Sequence, residues 1–222
     1  MSFFSRYILG ILPGIAICLL FISFDKKRKK NLKKYLLVFL LSAMACIAAN
    51  RLEYKIGSYF PEMVDMTWYM VFIYAIFGVA IFEEVAKWFV VLLISPNSIG
   101  KKEIFIFTVI SAMGFATFEN VVYYLKDASL LAAVTRAFLA VPSHACDGII
   151  MGYFLYKLNK DNNKLLYLSL SLIIPILVHA TYNAFLYKGI YIGYVINLIF
   201  YFTILAICIK IVLQNVRSVE NE

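Results

Sequence analysis

The sequence predicts an all-α, polytopic membrane helical bundle of about seven transmembrane helices, with its amino terminus outside and its carboxyl terminus in the cytoplasm. Three observations carry this expectation. Hydrophobic residues make up 63% of the chain and charged residues only 15%, with a mean hydropathy of +0.84; soluble domains carry about 25% charged residues, so lipid is the solvent implied. Apolar segments close to the ~20 residues that cross a hydrocarbon core recur along the chain, separated by short polar connections. Basic residues concentrate in alternate connections, as the positive-inside rule requires.

The first segment, residues 7–24, reads as a retained anchor. Arg6 alone precedes it and the cluster Lys26, Lys27, Arg28, Lys29, Lys30, Lys33 and Lys34 comes after it, the reverse of a signal peptide's flanks. The second, residues 35–49, is the shortest. The others cover residues 67–94, 104–125, 130–156, 165–186 and 190–213. In this topology Lys101, Lys102, Lys157, Lys160, Lys164, Lys210 and Arg217 join the cluster inside, and only Arg6, Arg51, Lys55, Lys126 and Lys188 lie outside. Residues 50–66 form the largest outer connection; its acids Glu53, Glu62 and Asp65 are expected on a solvated loop.

No Ser/Gly-rich linker, fixed-period repeat or low-complexity tract divides the chain, so residues 1–222 read as one integral membrane domain. The net charge of +8 is spread over the connections rather than along one helix face, which argues for topology and against nucleic acid. Cys18, Cys46, Cys146 and Cys208 all sit inside apolar segments, so neither a disulfide framework nor a cysteine zinc knuckle is implied.

Chemistry begins with the ionisable residues left inside the spans: Glu83, Glu84, Lys87, Glu119, Arg136, His144, Asp147 and His179. Each costs about 2.5–3.5 kcal/mol at mid-bilayer if charged and unpaired, so bundles keep such groups facing inward, usually for function. Counted along each helix from its cytoplasmic end, Glu83, His144, His179 and Glu119 all fall about 16–23 Å up, in one layer. Both histidines of the chain belong to it. Glu83 and Lys87 are four residues apart, His144 and Asp147 three, His179 and Asn183 four, so each pair shares a helix face.

Plainer roles stand beside these. Lys87 and Arg136 fit ion pairing or snorkelling, and a lone His or Asn in a membrane helix fits an interhelical hydrogen bond. Asp147 fits either an orienter of His144 or a counterion. Gly148 and Gly152 have close-packing spacing, and Pro142 and Pro175 are expected to kink their helices. Cys146 lies two residues from His144, on another face, which is poor geometry for a thiol–imidazole dyad.

Four stretches, in this order, resemble the PrsW-type intramembrane proteases, which are similar to the CAAX prenyl endopeptidases and bacteriocin-processing membrane proteases. They are the run from Glu83-Glu84 to Lys87-Trp88, the run from Gly114 through Glu119-Asn120 to Tyr123-Tyr124, the run from Arg136 through His144 and Gly148 to Gly152, and His179 to Asn183. The resemblance covers about residues 70–187, with a catalytic core about 67–187. The family's last motif often has Asp where this chain has Asn183.

The resemblance implies a multi-pass protease of the bacterial cytoplasmic membrane. Its substrate would be a single-pass, membrane-anchored protein, by analogy an anti-sigma factor cut first at its outer site during envelope stress. Its partners are then that substrate and the lipid bilayer, with no nucleic acid and no cofactor. Peptide hydrolysis needs an activated water, an oxyanion stabiliser and a proton for the leaving amine. The assignment expected is Glu83 as general base, Glu84 holding the water or Glu83, and His144 orienting water or shuttling the proton. His179 and Asn183 form the oxyanion hole, and Glu119 with Asn120 helps position water. Two other chemistries use the same residues. Glu83, Glu119, His144 and His179 would make a two-His, two-carboxylate zinc set, although no HExxH is present. Buried Glu and His also build the relays of proton-coupled transporters, but the inverted repeats common there are not seen.

Overall fold

A computed structural model describes residues 3–126, 129–160, 162–188 and 191–215, and shows an all-helical bundle among them. Arg217 and the side chains of Arg6 and Lys126, used above for topology, lie outside the described residues. Helix α1 (Phe3–Ser23) turns tightly into α2 (Arg28–Gly57). The turn is pinned by buried Asp25, whose carboxylate accepts from Lys27 N at 2.8 Å, Asn31 Nδ2 at 3.0 Å and Tyr35 Oη at 2.6 Å. Such local acceptance explains a buried acid beside a cationic cluster. Much of that cluster, Arg28 to Lys34, forms the first turns of α2 rather than a loop.

The next rod runs through α3 (Trp68–Ile73), a π-helical stretch Tyr74–Ala80 and α4 (Ile81–Ile94). Helix α5 (Ile104–Lys126) comes next. A second composite rod joins α6 (Leu130–Thr135), a π-helical stretch Arg136–Ala140 and α7 (Val141–Lys157). Helices α8 (Lys164–Lys188) and α9 (Tyr191–Asn215) complete the described elements. Among the described residues, five stretches are long and apolar enough to cross a membrane: Arg28–Gly57, Ile104–Tyr124, Leu130–Lys157, Lys164–Lys188 and Tyr194–Asn215, with Ile8–Ser23 shorter.

One expectation needs correction. The second segment is not the short 35–49 but a 30-residue helix, so the expected loop 50–66 starts as two more helical turns, and Glu53 sits on α2. Amphipathic ends escape a search for continuous apolarity, because Arg51, Glu53 and Lys55 lower the average without breaking the helix. Proline acts differently at its two sites. Pro175 lies inside an unbroken α8, whereas Pro142 comes directly after a π-helical stretch in which Val141 N bonds Arg136 O, five residues back. Lacking an N–H, Pro142 cannot serve the carbonyl of Phe138. Tyr201 Oη of α9 donates to that carbonyl at 3.1 Å instead.

Helix α5 is the hub, packing on α1, α2, α4 and α7 and mostly buried, whereas α9 is mostly exposed. Close approach of α7 to α5 rests on the two glycines singled out above. A Cβ on Gly148 would lie 2.9 Å from Thr108 O, and one on Gly152 3.0 Å from Phe105 Cα. Small residues let backbones meet where lipid supplies no hydrophobic drive between helices. Hydrogen bonds fasten the rest: Ser42 Oγ and Ser111 Oγ lie 2.7 Å apart, Ser111 Oγ donates to Lys87 O at 3.0 Å, and Trp88 Nε1 donates to Ser171 Oγ at 3.0 Å.

Candidate active site

Both π-helical stretches lie one turn before residues of interest, Ala80 ahead of Glu83-Glu84 and Ala140 ahead of His144. The wider turn rotates the helix beyond it, so polar side chains of an otherwise apolar rod converge inward, a common use of π-bulges at functional sites. Four elements then deliver one connected network. At its centre Lys87, 1% exposed, places Nζ 3.1 Å from Glu83 Oε2, 2.7 Å from Glu84 Oε1 and 3.1 Å from His144 Nδ1, with the Phe115 ring face 4.4 Å away. Two adjacent buried carboxylates are tolerable here because one ammonium serves both.

The hydrogen bonds fix how each imidazole is used. An ammonium can only donate, so His144 Nδ1 accepts from Lys87, and Nε2 carries the proton and donates to Glu119 Oε2 at 3.1 Å. Glu119 is held in turn by Arg136 Nη2 at 2.9 Å. Arg136 Nε donates to Asn120 Oδ1 at 2.6 Å, and Asn120 Nδ2 reaches Gly10 O of α1 at 3.2 Å. On the other side, His179 Nδ1 donates to Glu84 Oε1 at 2.8 Å, which leaves Nε2 turned toward Glu83 Oε2 at 3.8 Å, too far for a direct bond. The two imidazole rings stand edge to face, 5.1 Å apart.

A cavity of about 820 Å³ opens from this network toward the end of the bundle that carries Ser129 and Tyr187. Glu83, Glu119, Arg136, His144, Asp147, His179 and Asn183 all line it. Glu84, fully buried, stands behind Glu83 and is not among the lining residues. Asn120 is also withdrawn, bridging Arg136 to α1. Asp147 approaches His179 Nδ1, at 3.6 Å, while the partners of His144 are Glu119 and Lys87. Lys87, expected to ion-pair or snorkel, pairs with both Glu83 and Glu84 at the centre of the cluster. Sequence reasoning passed over Glu53, Tyr182 and Asn197, which line the cavity too. Glu53 was hidden by its assignment to a loop, and the signal for Asn197 was its amide in the apolar last span.

The donor set has the chemistry of a metal site, since one atom each from Glu83, Glu84, His144 and His179 lie within 4.8 Å of one another. It differs from the expected zinc set, because Glu84 replaces Glu119, which sits on the far side of His144 beside Arg136. Three of these four residues direct their donor atoms at Lys87 Nζ. A divalent ion bound about 2.0–2.2 Å from those atoms would claim the same space and the same lone pairs. With Lys87 so placed, a metal held by these donors would have to displace its ammonium.

Carboxylates and imidazoles gathered against a cavity inside a helical membrane bundle mark a functional site, and an intramembrane peptidase is one class of protein built this way. Comparison with known proteins agrees. Residues 30–209 match the model of the PrsW family of intramembrane metalloproteases, and the chain belongs to that family. It is similar to the protease PrsW of Oceanobacillus iheyensis, 32% identical over 188 residues that cover 81% of each chain. It is also similar to that of Bacillus subtilis, 28% identical over 186 residues, 78% of this chain and 79% of the relative. No solved structure matches the chain.

Proposed function

We propose that this protein hydrolyses a peptide bond of a single-pass, membrane-anchored protein with a water activated by Glu83, and that it needs no metal to do so. The observation that carries the reading is the gap between Glu83 Oε2 and His179 Nε2. At 3.8 Å it suits one oxygen atom hydrogen-bonded to both, about 2.8 Å from each. Glu83 takes a proton of that water, the oxygen attacks a peptide carbonyl presented in the cavity, and the protonated Glu83 then gives the proton to the leaving amine as the C–N bond breaks. Lys87 holds Glu83 in position and neutralises part of its charge before and after the transfer. His179, its Nδ1–H held by Glu84 as a carboxylate holds an imidazole in a hydrolytic triad, presents Nε2 to the reacting centre. Asn183, one turn further along α8, supplies an amide donor for the developing oxyanion. His144, anchored by Glu119 and Lys87, borders the same space and keeps the water on the side of Glu83.

The topology belongs to this proposal as well. Counting the two composite rods, α1, α2, α5, α8 and α9 gives seven spans, with the amino terminus outside and the carboxyl terminus in the cytoplasm. The cavity then opens toward the outer face of the bacterial cytoplasmic membrane, as a first cut on the outer side of a substrate requires. An anti-sigma factor is the substrate that the family resemblance favours. The test is a comparison of membrane-protein termini in cells carrying the wild-type protein or Glu83→Gln. A new terminus at the outer edge of a single-pass segment, present only with Glu83, is expected; identical termini would refute the reading.

A further inference from the structure

We propose that Asn197 of α9 is a substrate-binding residue, whose side-chain carbonyl accepts a hydrogen bond from a backbone N–H of the substrate beside the bond that is cut. The inference rests on the proteolytic reading above and extends it to a helix that contributes no other group to the catalytic network. Asn197 is 4% exposed, lines the cavity shared by Glu83, His144 and His179, and has no hydrogen-bond partner for Oδ1 among the described residues. A buried carbonyl without a donor is costly, and in a membrane helix an Asn ordinarily meets another helix. Here that structural task is done one turn away by Tyr201, which ties α9 to the Phe138 carbonyl. Asn197 is left facing the cavity with an acceptor to offer.

The reaction itself dictates which donors such an acceptor would meet. A helical segment must unwind before one of its peptide bonds can reach Glu83, and each unwound residue frees an N–H that lipid cannot satisfy. The protein has to supply acceptors at the same depth. Glu53 Oε1 and Asp147 Oδ1, also on the cavity wall, likewise have no partner among the described residues. Glu53 is ionisable and partly exposed, and Asp147 stands against His179, so both answer to other neighbours. Asn197 is neutral and buried, and Tyr194 and Leu198 of the same helix and Leu131 and Leu139 of the composite rod are walls of the same cavity. A chain lying in the cavity passes between these walls.

The probe is fluorescein-labelled casein, an extended chain with free backbone N–H groups, with the full-length protein purified in detergent micelles. Glu83-dependent cleavage of casein is expected; its absence would overturn the assignment of a site for extended backbone, while the proteolytic reading is tested by the membrane-protein termini above. Given cleavage, Asn197→Leu should raise KM about 5- to 20-fold, the loss of one hydrogen bond, while kcat and the thermal midpoint stay within about twofold and a few degrees. Asn197→Gln, which keeps the carbonyl on a longer stem, should recover part of the lost affinity. An unchanged KM in Asn197→Leu would show that the amide holds only water. A fall in kcat at constant KM, or loss of folding in both variants, would show a structural role. Any of these results overturns the assignment while leaving the proteolytic reading intact.

Discussion

Replacing Lys87 by Met removes the one cation at the centre of the network while keeping its volume and a sulfur contact to the Phe115 ring. Glu83 and Glu84 then face each other buried, with their bonds of 3.1 and 2.7 Å to Nζ gone. Breaking a buried ion pair by deleting one partner costs about 3–5 kcal/mol. For a chain of this size about 2–4 °C is lost per kcal/mol, so a fall in the unfolding midpoint of about 6–20 °C is expected. The same change frees the lone pairs of Glu83, Glu84 and His144, so the variant should bind a divalent ion more tightly than the wild type. Cobalt at about 100 times its Kd would return about 2.7 kcal/mol, roughly half of the lost stability or more, with the visible absorption of tetrahedral Co(II). The assay is thermal unfolding of wild type and variant in detergent, with and without cobalt, together with metal content per chain. Wild-type protein that takes up one metal per chain as tightly as Lys87→Met would refute the competition of Lys87 with a metal and support the metal chemistry that the family's description carries.

Glu83→Gln should lower kcat by about 10²–10⁴-fold with the fold retained, read as loss of substrate cleavage at an unchanged unfolding midpoint. Strong chelators should leave wild-type cleavage intact; activity lost to chelation and restored by zinc would overturn the water-only mechanism. Arg136→Met should release Glu119 and so misplace His144, lowering kcat about 10- to 100-fold with little change in KM, measured with casein. Gly152→Val should force α7 from α5 at Phe105 and Thr108, costing about 1–3 kcal/mol or more in unfolding experiments, with the loss of activity tracking the loss of fold.

How much of the molecule was readable in the chain differs by level. Element existence was legible, since five apolar rods and the positions of Glu83, Glu119, His144 and His179 on separate helices follow from composition, length and helical rise. Boundaries were less so, as α2 shows, because a helix end that carries charges looks like a loop to any count of apolarity.

The sequence by itself determined that this is a helical membrane protein of a protease family with costly polar groups at one depth, because burial in lipid leaves a pattern along the chain that needs no partner to read. Only the tertiary structure decided which of those groups touch. Lys87 at the centre of the carboxylates, Glu119 rather than Asp147 holding His144, Glu84 behind Glu83, and Asn197 on the cavity wall all depend on the rotation of one helix against another. The π-helical stretches and the close α5–α7 approach set that rotation. Depth is a property of one helix, but contact is a property of two, and the second is fixed by packing.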